Sequence, residues 1–302
     1  AAAAMWIGTF HAFGLDLVRR FHKELGFSRE PRMMDRPEAV DLLEAEFTQI
    51  NLTHYRNLWD PSEILRDLLN AISRAKDEVV DEARYAELAE GMRLAAITEE
   101  ARAAAAKAAE VARVYATYER LKHEAVAVDF GDLVSLPVRL LTEHPEVAAS
   151  LRETYRHILV DEYQDVNRAS VRLLQLITDK GRNLWAVGDA RQSIYRFRGA
   201  SSFNMSRFAT EDFQGAKTGR LKINYRSFKE IVDAYSAFGS QMKAGTGPAD
   251  LRAERGRSGV APEHIVLSTG DEEGTGLGEI LLAERAAGRA WRDQAVLCKG
   301  NE

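Results

Sequence analysis

The chain has 302 residues, 45% of them hydrophobic and 29% charged, the balance of an ordinary soluble globular protein with room for about two domains. This excludes collagen-like, disordered and disulfide-scaffold classes; no run of about 18 uninterrupted apolar residues exists to cross a membrane, and the single cysteine, Cys298, can supply neither an intrachain disulfide nor a multi-cysteine metal site. The net charge of −5 argues at first against a nucleic-acid partner, yet it is unevenly spread: Glu30 to Glu100 holds seventeen acidic and eight basic residues, whereas Arg182 to Lys229 holds ten basic and three acidic, a stripe able to neutralise phosphates.

Ala1 to Ala4 reads as a tag scar or placeholder and is left out of fold reasoning. The residues after it lack a basic stretch followed by an apolar one, so no secretory signal is expected, and a reducing, cytoplasmic setting fits. The first half reads helical. Phe10, Phe13, Leu17, Val18, Phe21 and Leu25 recur at helical spacing. Pro37 to Phe47 carries Val40, Leu43 and Phe47 on one face, with proline in the first turn. After the Asp60-Pro61 break, Ser62 is placed to cap a helix holding Ile64, Leu65, Leu68, Leu69 and Ile72. Glu99 to Glu124 is a long Ala-rich helix, and Phe130 to Leu141 is another, which Pro137 should kink or divide.

Beyond residue 155 short apolar runs alternate with helices. The runs are His157 to Val160, Asn183 to Asp189, Leu221 to Asn224, His264 to Ser268 and Gln294 to Lys299. Between them lie helical stretches at Ala169 to Ile177, Ser202 to Phe208, Phe228 to Phe238 and Glu272 to Ala287, while Gln241 to Ala261 reads as a surface loop. Strands alternating with helices predict an α/β fold with a parallel sheet covered on both faces. In such sheets ligands sit at the carboxyl ends of the strands, so the polar residues after each run are where chemistry is expected.

Two runs meet that expectation. Ile158-Leu159-Val160 leads into Asp161 and Glu162, a Walker B arrangement: the first carboxylate suits Mg²⁺ and the second suits polarising a water for attack on a γ-phosphate. The bland reading is a strand end whose acids meet solvent. In the second run, Gly188 permits a tight strand exit and Gln192 is an uncharged donor able to sense a γ-phosphate without consuming it. Tyr195 and Phe197 then alternate with Arg196 and Arg198, the pattern of rings that stack on bases and guanidiniums that meet phosphates. Core packing of the two rings is the equal alternative for that tetrad.

The stretches DEYQD at 161–165, VGDARQSIYRFRGA at 187–200 and LKINYRS at 221–227 resemble motifs II, III and IV of the UvrD/Rep-type superfamily 1 DNA helicases. Gly8 to Phe13, Val128 to Leu133 and Trp291 to Leu297 also resemble family segments, in the family's order. The resemblance implies ATP and Mg²⁺ as cofactors, single-stranded DNA and single-/double-strand junctions as partners, 3′ to 5′ movement, and work in DNA repair or recombination. By matched position it implies Asp161 as the Mg²⁺ ligand, Glu162 as the base, Gln192 as the link between γ-phosphate and DNA segment, Tyr225 stacking on adenine, and Arg226 reaching the γ-phosphate. Tyr195, Arg196, Phe197 and Arg198 would touch single-stranded DNA, and Thr9 and His11 would lie near its backbone. The family often has Trp where Phe197 stands, so this stacking platform is smaller.

The resemblance also implies RecA-like architecture: residues 1–14 and 126–218 as part of a first motor domain, 15–125 as a helical insertion, and 219–302 as the start of a second motor domain. A P-loop needs G-x-x-x-x-G-K-[ST], and none occurs in these 302 residues. The chain is therefore expected to be an internal piece of a helicase that is not a competent ATPase by itself. The competing expectation is a non-catalytic, helicase-like module that grips DNA or protein. A nuclease centre built on Asp161, Glu162 and Asp165 is disfavoured.

Overall fold

The computed structural model describes residues 5–55, 61–194, 203–242 and 251–298. The chain divides into two compact units, residues 1–220 with 242–247, and residues 221–241 with 248–302.

In the first unit, α1 (Phe10–Arg20) begins where Thr9 accepts a hydrogen bond from the Ala12 N–H at 3.2 Å, satisfying one of the donors a helix start leaves open. It buries Phe13, Gly14, Leu17 and Val18. The strand β1 (Arg32–Met33) follows, then α2 (Arg36–Glu44), whose start is a reciprocal capping box between Asp35 and Glu38. After α3 (Phe47–Ile50) come three long helices: α4 (Pro61–Asp77), α5 (Glu82–Ala95) and α6 (Glu99–Glu124). The helix that Ser62 was expected to cap starts one residue earlier, at Pro61. The α5 helix escapes sequence reading because only Ala89 of it is buried, leaving no apolar stripe to detect.

One apolar core joins α2, α4 and α6 through Leu43, Leu65, Leu68, Leu69, Ile72, Val114, Tyr115 and Tyr118. A buried carboxylate anchors the connection between α3 and α4: Glu110 accepts from the backbone N–H groups of Thr53, His54 and Tyr55 at 2.8–3.1 Å. Burial would push that carboxyl up, but the three N–H groups outweigh it and hold Glu110 below its ordinary range.

A second core gathers around α1, α7 (Asp132–Glu143), α8 (Pro145–Thr154) and α9 (Arg168–Ile177). The two cores meet at β2 (Ala127–Val128), which pairs parallel with β1. Adjacent strand residues face opposite ways, so Ala127 belongs to the first core and Val128 to the second. The strands β3 (Ile158–Val160) and β4 (Leu184–Ala186) pair parallel in the expected places, with Leu159 opposite Trp185. Both of those side chains are exposed, at 73% and 75%, while Val160 is buried. The turn of π-helix Phe208–Asp212 follows α10 (Phe203–Arg207) and packs Phe208 against Tyr163.

The second unit contains β5 (Ile223–Asn224), α11 (Lys229–Ser240), β6 (Arg252–Ala253) and α12 (Gly270–Ala286). Here two expectations need correction. The stretch 241–261, read as loop, holds β6, which pairs parallel with β5. Among the described residues the runs at 264–268 and 294–298 form no strand, and Val266 and Leu297 in them are 78% and 95% exposed. The described strands form three parallel pairs, in keeping with the expected α/β class. Among the described residues no helix is long and apolar enough to cross a membrane.

Pro137 does not divide α7. Having no N–H, it cannot donate to the Leu133 carbonyl. At that point α1 crosses α7 so closely that a Cβ on Gly14 would lie 1.5 Å from the Leu133 oxygen. Gly14→Ala must therefore push the helices apart. A loss of at least about 2 kcal/mol in urea unfolding is expected, and a variant within about 0.5 kcal/mol of the parent would contradict this packing.

The last residue of α4, Asp77, accepts from the Asn167 side-chain amide at 2.5 Å. Burial pushes its carboxyl up to about 6, against the pull of Asn167 and Arg74 and with a push from Glu78. The native chain thus holds this proton more tightly than the unfolded chain, whose carboxyl titrates near about 3.9. The stability it contributes is complete below about pH 4 and lost as pH rises through about 6. The difference in urea midpoint between parent and Asp77→Asn should accordingly change between pH 4 and 6.5; a constant difference would place Asp77 at its ordinary value.

Candidate functional site

The end of β3 delivers Asp161 and Glu162 to the surface. Glu162 adopts a left-handed backbone conformation, φ 51° and ψ 43°, which costs a non-glycine residue about 1 kcal/mol. Two hydrogen bonds hold it there. Its N–H donates to Asp161 Oδ1 at 2.9 Å, and its Oε2 accepts from Gln164 Nε2 at 2.6 Å. A single turn, Tyr163–Asp165, follows and buries Tyr163 and Gln164.

Gln164 is the centre of this constellation and was not singled out from the sequence. Its amide nitrogen holds Glu162, and its Oε1 accepts from the Asp189 N–H at 2.9 Å, just past β4. Its own carbonyl accepts from Ser193 Oγ at 3.3 Å. Gly188 is needed for this approach, because a Cβ there would lie 2.7 Å from Gln164 Oε1. Asp189 in turn accepts from the Arg191 N–H at 2.9 Å and from Gln192 Nε2 at 3.1 Å. One buried amide therefore ties the Asp161–Glu162 strand end to the turn that carries Gln192. The signal in the sequence was a neutral amide two residues past an acidic pair, with no spacing rule to give it a role. Burial, followed by the nearby Glu162 charge, raises the Asp165 carboxyl.

Two exposed carboxylates at the carboxyl end of a parallel strand, one of them oriented by a buried amide, fit a hard divalent cation that also takes phosphate oxygens. A second acidic group does not suit this role. Glu119, Asp129 and Asp132 converge within 4.8 Å, but the ammonium groups of Lys76 and Lys122 already fill the space between them.

Thr9 is exposed and spends its hydroxyl on capping α1. His11 stacks on Phe130 with centroids 3.8 Å apart, and burial lowers its pKa. Phe130 itself is largely exposed. The segments 8–13 and 128–133, distant in sequence, thus meet in an aromatic pair that the sequence did not reveal. Tyr195, Arg196, Phe197 and Arg198 lie outside the described residues.

In the second unit, Tyr225 and Arg226 are exposed on the turn between β5 and α11. Asn224 shapes that turn: its Oδ1 accepts from the N–H groups of Arg226 and Ser227 at 3.0 and 2.8 Å. Arg255 supports it from behind, donating to the Arg226 carbonyl at 2.9 Å while its guanidinium lies over the Phe228 ring. Glu230 clamps the 258–259 loop by accepting from two backbone N–H groups, which hold its carboxyl down to about 2.

Comparisons with known proteins identify the family. Residues 1–214 match the family described as UvrD/REP helicase N-terminal domain. The ATP-dependent DNA helicase PcrA of Leuconostoc citreum is 30% identical over 300 residues, 99% of this chain and 37% of the relative. The ATP-dependent DNA helicase Rep of Salmonella typhimurium is 29% identical over 303 residues, 99% of this chain and 41% of the relative. The ATP-dependent DNA helicase UvrD1 of Mycobacterium tuberculosis is 34% identical over 241 residues, 77% of this chain and 29% of the relative. The chain spans well under half the length of these relatives, and with a family match over more than two thirds of its residues it belongs to the UvrD/Rep helicase family.

Proposed function

We propose that the chain is part of an ATP-dependent DNA helicase or translocase moving 3′ to 5′ in DNA repair or recombination. The observation that carries this reading is the Gln164 bridge between Glu162 and the turn bearing Gln192. In this reading residues 1–14 and 126–218 are part of the first RecA-like motor domain, 15–125 its helical insertion, and 219–302 the beginning of the second. The second unit buries only Val232 and Gly239 among its described residues, as an element of a larger core would.

Asp161 would hold Mg²⁺ and Glu162 would take the proton of the attacking water. Bound Mg²⁺ would neutralise charge on the β- and γ-phosphates of ATP. Gln164 keeps the Glu162 carboxylate aimed by donating to one of its oxygens, leaving the other free. Gln192, bonded to Asp189, would respond to the γ-phosphate and pass its position to 195–198, where Tyr195, Arg196, Phe197 and Arg198 would meet single-stranded DNA at or near a duplex junction. Thr9 and His11 would border the strand backbone. Tyr225 would stack on adenine, and Arg226, free to extend from its braced turn, would reach the γ-phosphate.

In the complete protein Glu162→Gln should reduce ATP turnover at least about a hundredfold, in the range of lost general-base catalysis, with nucleotide affinity retained because Asp161 remains. Steady-state hydrolysis and nucleotide titration check this, and near-normal turnover would remove Glu162 from the base role. Gln164→Leu should lower turnover by roughly tenfold, a misaimed carboxylate costing less than a missing one; unchanged turnover would show that the bridge is dispensable. The 302-residue chain by itself should show negligible Mg²⁺-dependent hydrolysis, with or without DNA, and robust turnover would overturn that expectation.

A further inference from the structure

Two consecutive residues at the end of α4 contact both functional segments of the first unit. Lys76 reaches one of them. Its Nζ donates to Asp132 Oδ1 at 2.6 Å and Asp129 Oδ2 at 2.7 Å, and forms an ion pair with Glu119 Oε1 at 2.8 Å. Lys122 on α6 completes the cluster against the same three carboxylates. Asp129 and Asp132 also cap each other's backbone N–H groups, at 2.8 and 3.0 Å. The Lys76 stem lies against the intervening Gly131, where a Cβ would come within 2.9 Å of Lys76 Cδ. The loop so held presents Phe130 outward, stacked on His11.

Asp77 reaches the other segment. It accepts from the Asn167 amide at 2.5 Å. The opposite end of that amide caps α9, its Oδ1 accepting from Ser170 N–H at 2.9 Å and Ser170 Oγ at 2.7 Å. Asn167 lies five residues after Glu162, just past the Tyr163–Asp165 turn, where it caps α9. The path Glu162, Asn167, Asp77, Lys76, Asp129/Asp132, Phe130/His11 is contiguous through bonds and buried contacts.

We propose that Lys76 and Asp77 are positioning residues that tie the hydrolytic strand end to the 128–132 loop through the helical insertion, so that DNA held beside that loop changes the turnover rate. The proposal rests on the functional reading above and adds a role for two residues that touch neither nucleotide nor DNA. The insertion in this view is part of the stimulation pathway, because Lys76 and Asp77 are consecutive residues of one helix, one bonded to each segment.

The test uses the complete protein carrying Asp77→Ala, which removes the Asn167 acceptor and leaves the buried lysines paired, and Asp77→Asn, whose side-chain oxygen can still accept. Turnover is measured without DNA and at saturating single-stranded oligonucleotide. Asp77→Ala should keep DNA-free turnover within about twofold and lower the DNA stimulation factor roughly tenfold, the scale of coupling carried by such networks. Asp77→Asn should restore the factor to within about threefold of the parent. Lys76→Met should behave like Asp77→Ala; where it fails to fold, the Asp77 pair decides. Stimulation left intact by Asp77→Ala, DNA-free and DNA-stimulated turnover falling in step, or no rescue by Asp77→Asn would each overturn the proposal. Loss of hydrolysis in Glu162→Gln together with full stimulation in Asp77→Ala would reject the tie alone, whereas retained hydrolysis in Glu162→Gln would reject the functional reading.

Discussion

Five charges share one small buried space between the helical hairpins and the α/β core. Lys76 and Lys122 are each only 3% exposed, and three carboxylates surround them. Removing an ion from water costs several kcal/mol even after relaxation, so such a cluster forms only when every member finds partners. Here each ammonium contacts all three acids, the two aspartates accept backbone N–H groups, and the ring of Tyr118 lies within 5.5 Å of both lysines. The three carboxylates outweigh burial and hold Lys76 firmly protonated, and the lysines hold Asp129 low. Burial and the Asp129 charge push Asp132 up, as expected for the acid in excess. The cluster tolerates little displacement, because a small shift leaves a buried charge without a partner.

That intolerance sets the relation between the two cores of the first unit. Lys76 comes from α4 and Lys122 from α6, both on the side of the first core, whereas Asp132 begins α7 in the other core. The β1–β2 pair crosses the same boundary, with Ala127 and Val128 facing opposite cores. Charge and backbone pairing thus fix α4 and α6 to the helix that Gly14 packs against. The stretch 30–100 is acidic in net composition, yet the charge in it that joins this cluster, Lys76, is among the few it buries.

The candidate site follows the same logic with neutral groups. A strained Glu162 backbone persists because neighbours over-determine it. Gln164 supplies the determination: buried, it spends both ends of its amide on the two strand ends. An amide does this without adding a charge beside the acidic pair, which a lysine or glutamate at the same place could not do. The second unit holds Tyr225 and Arg226 by an analogous small device, the Asn224 side chain folded over its own turn.

Local chemistry made much of this readable before any fold was seen. The β3 and β4 runs, the Glu99–Glu124 helix and the helix from Phe10 announce themselves through apolar patterning and composition, because those signals reside in residues close along the chain. The family motifs name Asp161, Glu162, Gln192, Tyr225 and Arg226 for the same reason, each motif being one unbroken stretch. What only the tertiary structure decided depends on partners far apart in sequence. The runs at 264–268 and 294–298 look like strands but form none among the described residues, since a strand exists only with a neighbour to complete its hydrogen bonds. The His11–Phe130 stack joins residues more than a hundred positions apart. Lys76 and Lys122 read as ordinary surface lysines until the fold surrounds them with carboxylates, because burial is a property of the packed chain and not of any window along it.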